Sequence, residues 1–396
     1  MISVDEAWTA LAETPTLTET EDVALGNAAG RVLAQPVIAK RTQPPRDMSA
    51  MDGYAVAFGD IEDGQTTFTL IGEAPAGGAF ERAIESGEAV RIFTGGIVPD
   101  GADHVVIQED VNRDGDTITL ADEQATPSHI RKAGQDFFSG DTLLSASHKI
   151  SLNDLGLIAN GNYASVEVKR RPRIAFIASG DELAAPGQEM TDTQIPNSNS
   201  VALAALVESW GAETVVMELV KDDKAAFTDA INDLPPVDII VPIGGASVGD
   251  YDYAKQVFYA LDYAPVFEKI AVKPGKPCWF ATGAQALVLG LPGNPTSAMV
   301  TAILFLKPLI DRLLGLPASQ DWVNGRMVHD LAANGPRETY LRGTFHIDGN
   351  GQVQVSTMAQ QDSGMISTFA AASCLVRRLP QATAVVQGET VQLLRI

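Results

Sequence analysis

Cysteine is scarce. Cys278 and Cys374 stand far apart in the 396 residues and outside any CxxC spacing, which excludes a disulfide framework and a thiolate metal site and leaves both as core residues. The five histidines, His104, His129, His148, His329 and His346, form no HxxxH or HExxH pattern. Zinc hydrolase chemistry is thereby removed, and a metal here would be a hard, oxygen-bound ion such as Mg²⁺. No apolar run reaches the roughly 18 residues of a membrane span, so no membrane partner is expected. The opening Met1-Ile2-Ser3-Val4-Asp5-Glu6 has neither the basic nor the apolar region of a secretory signal, and a cytoplasmic location is expected. Positive charge is also short: 28 Lys and Arg face 50 Asp and Glu, a formal charge of −22. That balance excludes a generally basic, phosphate-hugging surface, so nucleic acid is not an expected partner.

What is present is an ordinary globular composition, 45% hydrophobic and 20% charged, long enough for two to three domains at about 150 residues each. Ser3-Val4-Asp5-Glu6 reads as a capping box opening a helix to about Ala12, and Ser151-Leu152-Asn153-Asp154 repeats the device. Between them, alternation at 67–71, 89–93 and 104–107 predicts strands separated by Gly, Pro and Asp turns, a β-rich lobe inserted into a more helical region. Lys169, Arg170, Arg171 and Arg173 then mark a solvated hinge. From Arg173 the texture becomes βα: buried strands are predicted at 174–178, 214–217, 237–241, 269–272 and 286–289, with helices at 201–210, 225–234, 254–261 and 296–314. This predicts a parallel, three-layer α/β domain. Beyond Pro317, runs at 353–356 and 390–394 return to strand-like texture and suggest a small β-rich C-terminal domain.

In an open α/β sheet, ligands bind outside the carboxyl ends of the strands. The segments following the predicted strands are Ser179-Gly180-Asp181-Glu182, Lys221-Asp222-Asp223, Gly244-Gly245-Ala246-Ser247-Val248-Gly249-Asp250-Tyr251-Asp252, Lys273-Pro274-Gly275-Lys276-Pro277 and Pro292-Gly293-Asn294-Pro295-Thr296. Each alone also reads as a turn, and Asn294 also as a plain N-cap before Pro295. The glycine loop is neither GxGxxG nor a P-loop, so a dinucleotide fold and Walker-type ATPase chemistry are disfavoured. Together, on one sheet edge, they offer backbone amides and lysines for oxyanions and carboxylates for Mg²⁺.

These segments, with Ser49-Ala50-Met51-Asp52-Gly53-Tyr54-Ala55 and Thr94-Gly95 from the β-rich lobe, resemble the MoeA family, the molybdopterin molybdenumtransferases that include the E domain of gephyrin. They occur in family order and, with the Ser363 region, span the whole chain. The resemblance implies a multidomain α/β plus β fold: a helical subdomain (1–40 and 141–172), an inserted β-rich lobe (41–140), a MogA-like three-layer α/β/α domain (173–317) and a C-terminal β-barrel (318–396). It implies a homodimer, a MogA-type molybdopterin adenylyltransferase as upstream partner, and molybdoenzymes or cofactor carriers as acceptors. The implied reaction inserts molybdate into adenylylated molybdopterin and releases AMP with Mg²⁺ as cofactor.

Carried over by residue, Asp252, Ser247, Asp181, Glu182 and Asp52 are the implied catalytic groups, with Asp252, Asp181 and Glu182 as metal ligands. Thr94, Arg131, Asp136, Asp222, Gly244, Gly245, Lys269, Lys273, Lys276, Pro292, Pro295, Arg337, Arg342 and Ser363 are the implied substrate contacts, with Asp52, Thr94, Arg131 and Asp136 supplied by the facing chain. The sequence departs from the family at Ala133-Gly134-Gln135-Asp136, where Arg-Gly-Glu-Asp is frequent, around Ile195-Pro196-Asn197-Ser198-Asn199-Ser200, and at Gly364, where a second Ser is common. Two other readings stay open: a molybdopterin adenylyltransferase, and a molybdopterin-binding scaffold without turnover.

Overall fold

The computed structural model describes residues 1–121, 124, 126–244, 253–317 and 320–396. The chain forms two compact units, one of Met1–Glu21, Gly30–Ala34 and Glu167–Ile396, the other of Asp22–Ala29 and Gln35–Val166.

In the larger unit, α1 (Val4–Ala12) starts at Ser3, whose hydroxyl accepts from the Glu6 N–H while the Glu6 carboxylate accepts from the Ser3 N–H. This is the reciprocal cap expected from the sequence. The βα region follows as β1 (Arg173–Ser179), α2 (Ser198–Trp210), β2 (Glu213–Val220), α3 (Lys224–Asn232), β3 (Ile239–Ile243), α4 (Tyr253–Ala260), β4 (Ala264–Phe267), β5 (Val272–Lys273), β6 (Trp279–Thr282) and β7 (Leu287–Gly290). Six of these strands make one sheet in the order β2-β1-β3-β7-β6-β4. Ile174, Phe176 and Ala178 pack on one face with Leu203 and Val207 of α2. Ala175 and Ile177 pack on the other with Phe227 of α3 and Phe258 of α4. Helices on both faces explain why these strands read as continuous apolar runs; each fully buried large side chain contributes about 1.5–3 kcal/mol.

Two expectations need correction. The sheet is mixed: β2, β1, β3 and β7 run parallel, but β6 is antiparallel to β7 and β4 to β6. The run at 269–272 does not join it. Ile270 and Val272 are fully buried, yet Val272 and Lys273 pair with Glu338 and Thr339 of the C-terminal region. Apolarity signalled burial but could not say which sheet supplied the partner.

The long helix expected at 296–314 is α5 (Pro295–Thr301), a π-helical segment (Ala302–Leu306) and α6 (Lys307–Leu313) in continuous succession. Pro308 has no N–H to offer the carbonyl of Leu304 one turn back. The Trp8 indole N–H of α1 donates to that carbonyl instead, at 2.7 Å.

The C-terminal strands are β8 (Trp322–Met327), β9 (Glu338–Ile347), β10 (Val353–Thr357), β11 (Cys374–Arg378) and β12 (Thr390–Arg395), with α7 (Ile366–Ala370) before β11. Pairing runs β9-β10-β8-β12-β11 and returns from β11 to β9, closing a five-stranded barrel, with β5 attached outside the ring to β9. Met327, Val355, Cys374, Val376 and Leu393 fill it. Both cysteines are buried free thiols.

The smaller unit carries a second six-stranded sheet, in spatial order His104–Ile107, Gly53–Val56, Glu88–Ile92, Thr67–Ala74, Thr117–Leu120 and Val111–Asp114. Its helix Leu152–Asn160 opens with the Ser151–Asp154 capping box. His104 is completely buried. The Ser128 N–H donates to its Nδ1 at 2.9 Å, which fixes that nitrogen as an acceptor, and burial pushes its pKa down. Among the described residues, no helix is long and apolar enough to cross a membrane.

Candidate active site

The carboxyl edge of the α/β sheet holds two adjoining cavities. The first, about 640 Å³, is lined by Glu182, Asp222, Gly244, Pro292 and Pro295, together with Asn197, Ser198 and Asn199 at the start of α2. Positive φ at Gly244 makes the turn out of β3, and a Cβ there would sit 2.9 Å from the Ser179 carbonyl. Asp222 follows β2. Its carboxyl is pushed up from the usual range by burial first, and further by the nearby charges of Glu182 and Asp181, against a lowering hydrogen bond with Ser179. Asp181 does not line the cavity; its Oδ1 accepts from the Asp222 N–H at 3.4 Å. Among the described residues, no group of three His, Cys, Asp or Glu is placed to hold a metal ion. Clustered carboxylate oxygens are nonetheless the donor chemistry a hard cation requires. Gly245, Ser247 and Asp252 lie outside the described residues.

The second cavity, about 400 Å³, is lined by Lys273, Lys276, Arg337, Arg342 and Ser363, with Asp362 as its carboxylate. The lysine loop reaches the edge by a route the sequence did not suggest. It leads into β6, which pairs antiparallel with β7, Trp279 opposite Gly290, so β6 begins where β7 ends. Gly275, at φ +111°, allows the loop to press on α5: a Cβ would lie 2.2 Å from Thr301 Cγ2. Arg342 of β9 is 1% exposed. Its Nη1 and Nη2 donate to the carbonyls of Asp362 and Gln360 at 2.9 and 3.2 Å, while its Nε is buried without a partner. Among the described residues no carboxylate forms an ion pair with it, and desolvation lowers its pKa. Lys269 lies outside both cavities; its carbonyl accepts from the Ile2 N–H at 3.0 Å.

Asn294, which lines both cavities, was legible in the sequence as part of a sheet-edge loop or as a helix cap, not as a substrate contact by itself. It does stand at the N-cap of α5, but its side chain makes no cap bond. Its Nδ2 donates to Ser363 Oγ, and the Thr296 N–H of the first turn donates to the Ser363 carbonyl at 3.0 Å. Gln361 and Asp362 carried no signal, because they act through loop geometry rather than a motif.

In the smaller unit, Asp52 accepts from the Thr94 N–H at 2.7 Å and its hydroxyl at 2.8 Å, bonds that hold its carboxyl below the usual range. Arg131 and Asp136 line a separate cavity of about 500 Å³ with Gln43, Pro44, Gly95 and Gln135.

Three family models match in succession: the MoeA N-terminal region (domains I and II) over residues 2–161, a probable molybdopterin-binding domain over 175–312, and the MoeA C-terminal region (domain IV) over 324–396. The molybdopterin molybdenumtransferase of Haemophilus influenzae is 33% identical over 99% of this chain and 98% of its own length. That of a Nostoc species is 36% identical over 84% of this chain and 78% of its own. The solved molybdopterin biosynthesis MoeA protein of Pyrococcus horikoshii superposes with a TM-score of 0.81 at 26% identity, covering all of both chains.

Proposed function

This chain belongs to the MoeA family of molybdopterin molybdenumtransferases, and on that premise we propose that it inserts molybdate into adenylylated molybdopterin, releasing AMP in a Mg²⁺-dependent step of molybdenum cofactor biosynthesis. One observation carries the reading: Arg342, buried with no carboxylate in ion-pair contact among the described residues, lies beside Lys273, Lys276 and Arg337 in a protein of net charge −22. A buried cation that no carboxylate contacts directly favours an anion, and a 400 Å³ cavity with one carboxylate, Asp362, among four cations supports a compact oxyanion.

Lys273, Lys276, Arg342 and the Ser363 hydroxyl would hold molybdate as the metal-bearing substrate. The adjoining cavity would take the pterin nucleotide, its phosphates meeting the N–H groups at the start of α2. Glu182, Asp181 and Asp252 would hold Mg²⁺, which neutralises developing charge on the anhydride. Asp252 and Ser247 would orient the scissile bond. Asn294 touches both cavities and so is suited to keep the two substrates in register. As the family resemblance implies, the working form is a cytoplasmic homodimer in which Asp52, Thr94, Arg131 and Asp136 serve the partner's site, with a MogA-type adenylyltransferase upstream and cofactor carriers or molybdoenzymes downstream.

The test incubates purified protein with adenylylated molybdopterin, Mg²⁺ and molybdate and follows AMP. Molybdate-dependent release is expected. Its absence overturns the reading, and formation of adenylylated molybdopterin from ATP would reassign the protein to the preceding step.

A further inference from the structure

A third cavity of the larger unit, about 720 Å³, shares no lining residue with the two at the sheet edge. Leu206 and Trp210 of α2, Ile303 of the π-helical segment, Phe369 of α7 and Leu394 of β12 form its apolar wall. A concave, mostly apolar pocket of this size is the form that encloses a small molecule. Its polar groups say which kind. Gln320 lines the cavity, and its Nε2 is buried without a hydrogen-bond partner among the described residues. Buried donors are normally matched, so this one is left for an acceptor that arrives with a ligand.

The charged groups balance one another. Lys307 donates to Asp311 Oδ2 at 2.6 Å, and the Arg395 guanidinium lies over the Phe345 ring at 5.8 Å. Asp321, also on the lining, adds negative charge. With Lys307 paired and Arg395 offset by Asp321 on the same lining, an anion would meet no net positive charge. We propose that this cavity is a separate binding site for an uncharged small molecule with an aromatic or branched apolar body and one carbonyl-type oxygen, the oxygen accepting from Gln320 Nε2.

The site is probed by calorimetric titration of the full-length protein with naphthalene-1-acetamide and its charged counterpart, naphthalene-1-acetate. Two variants accompany the wild type. Gln320→Leu removes the donor, and Ser209→Trp places a large ring on the cavity lining from an exposed helix position. Saturable one-site binding of the amide is expected, with the acetate weaker. Loss of one neutral hydrogen bond predicts about fivefold weaker amide binding in Gln320→Leu, and Ser209→Trp abolishes it. The proposal is overturned by no saturable binding to the wild type, by acetate binding as tightly as the amide, or by unchanged amide affinity in either variant. It is equally overturned if Arg342→Met abolishes amide binding, which would place the ligand in the substrate cavities.

Discussion

Asn294 donates from Nδ2 to Ser363 Oγ across 3.1 Å, joining the start of α5 to the loop that precedes α7. Asn294 lines both sheet-edge cavities, whereas Ser363 lines the cationic one alone. Asn294→Ala is therefore expected to raise KM for molybdate and for the pterin nucleotide. Ser363→Ala should raise the molybdate KM alone, by about three- to tenfold for one lost hydrogen bond. Steady-state AMP release with each substrate varied in turn separates the two, and equal effects of Ser363→Ala on both would refute the division.

Arg342→Met keeps the length of the side chain and removes its charge. Molybdate affinity should fall roughly 100-fold, the range for deleting one member of a desolvated charge pair. Global stability should change little, because the charge has no ion-pair partner to orphan among the described residues and two lost bonds to the Asp362 and Gln360 carbonyls offset the relief. Molybdate titration and thermal unfolding of the same sample decide it. A large loss of stability with unchanged affinity would make Arg342 a structural residue.

Asp222 predicts a pH dependence whose sign follows from its raised pKa. Its ionised form is disfavoured in the folded state, so a stability penalty grows as pH rises through the folded pKa and vanishes below the unfolded one. Asp222→Asn should accordingly unfold at a higher temperature than wild type at pH 7 to 8, with the two converging as the solution is acidified. A difference that does not shrink on acidification would exclude Asp222 as the source.

For His104 the shift is downward, and the sign reverses. The unfolded chain takes up the proton first, so stability is lost as pH falls through the ordinary histidine range and levels off below the folded pKa. The thermal midpoint of the wild type should fall more steeply between pH 7 and pH 5 than that of His104→Gln. Parallel slopes would mean that the buried ring does not contribute.

Trp8→Phe preserves the ring but withdraws the donor from the Leu304 carbonyl, where Pro308 supplies none. A cost of about 1 kcal/mol is expected. Chemical denaturation measures it, and Trp8→Phe together with Pro308→Ala should recover part of the loss, since alanine restores a backbone N–H to the helix.

The sheet and the edge that carries the two cavities were legible in the sequence because strands buried on both faces leave unbroken apolar runs, each followed by a loop rich in Gly, Lys or Asp. The two antiparallel strands were not. β4 carries Pro265 and three exposed residues, and β6 has four residues, so neither shows a period. Lys273 and Lys276 were found for a partly wrong reason: the strand before them belongs to the barrel's edge, and they reach the site because the strand after them runs antiparallel. Lys269, a few positions earlier, shares their composition but not their position. The Asn294–Ser363 pair and the unmatched Gln320 amide were invisible, since both depend on segments far apart in the chain meeting at one point.

Arg342 spends Nη1 and Nη2 on main-chain carbonyls, and this settles when its side chain loses its freedom. A long, mobile arginine surrenders up to about 2 kcal/mol of rotamer entropy on being fixed. Here that loss falls on folding, so in the proposed role the cation would meet each incoming oxyanion already immobile and would not need ordering again at each turnover.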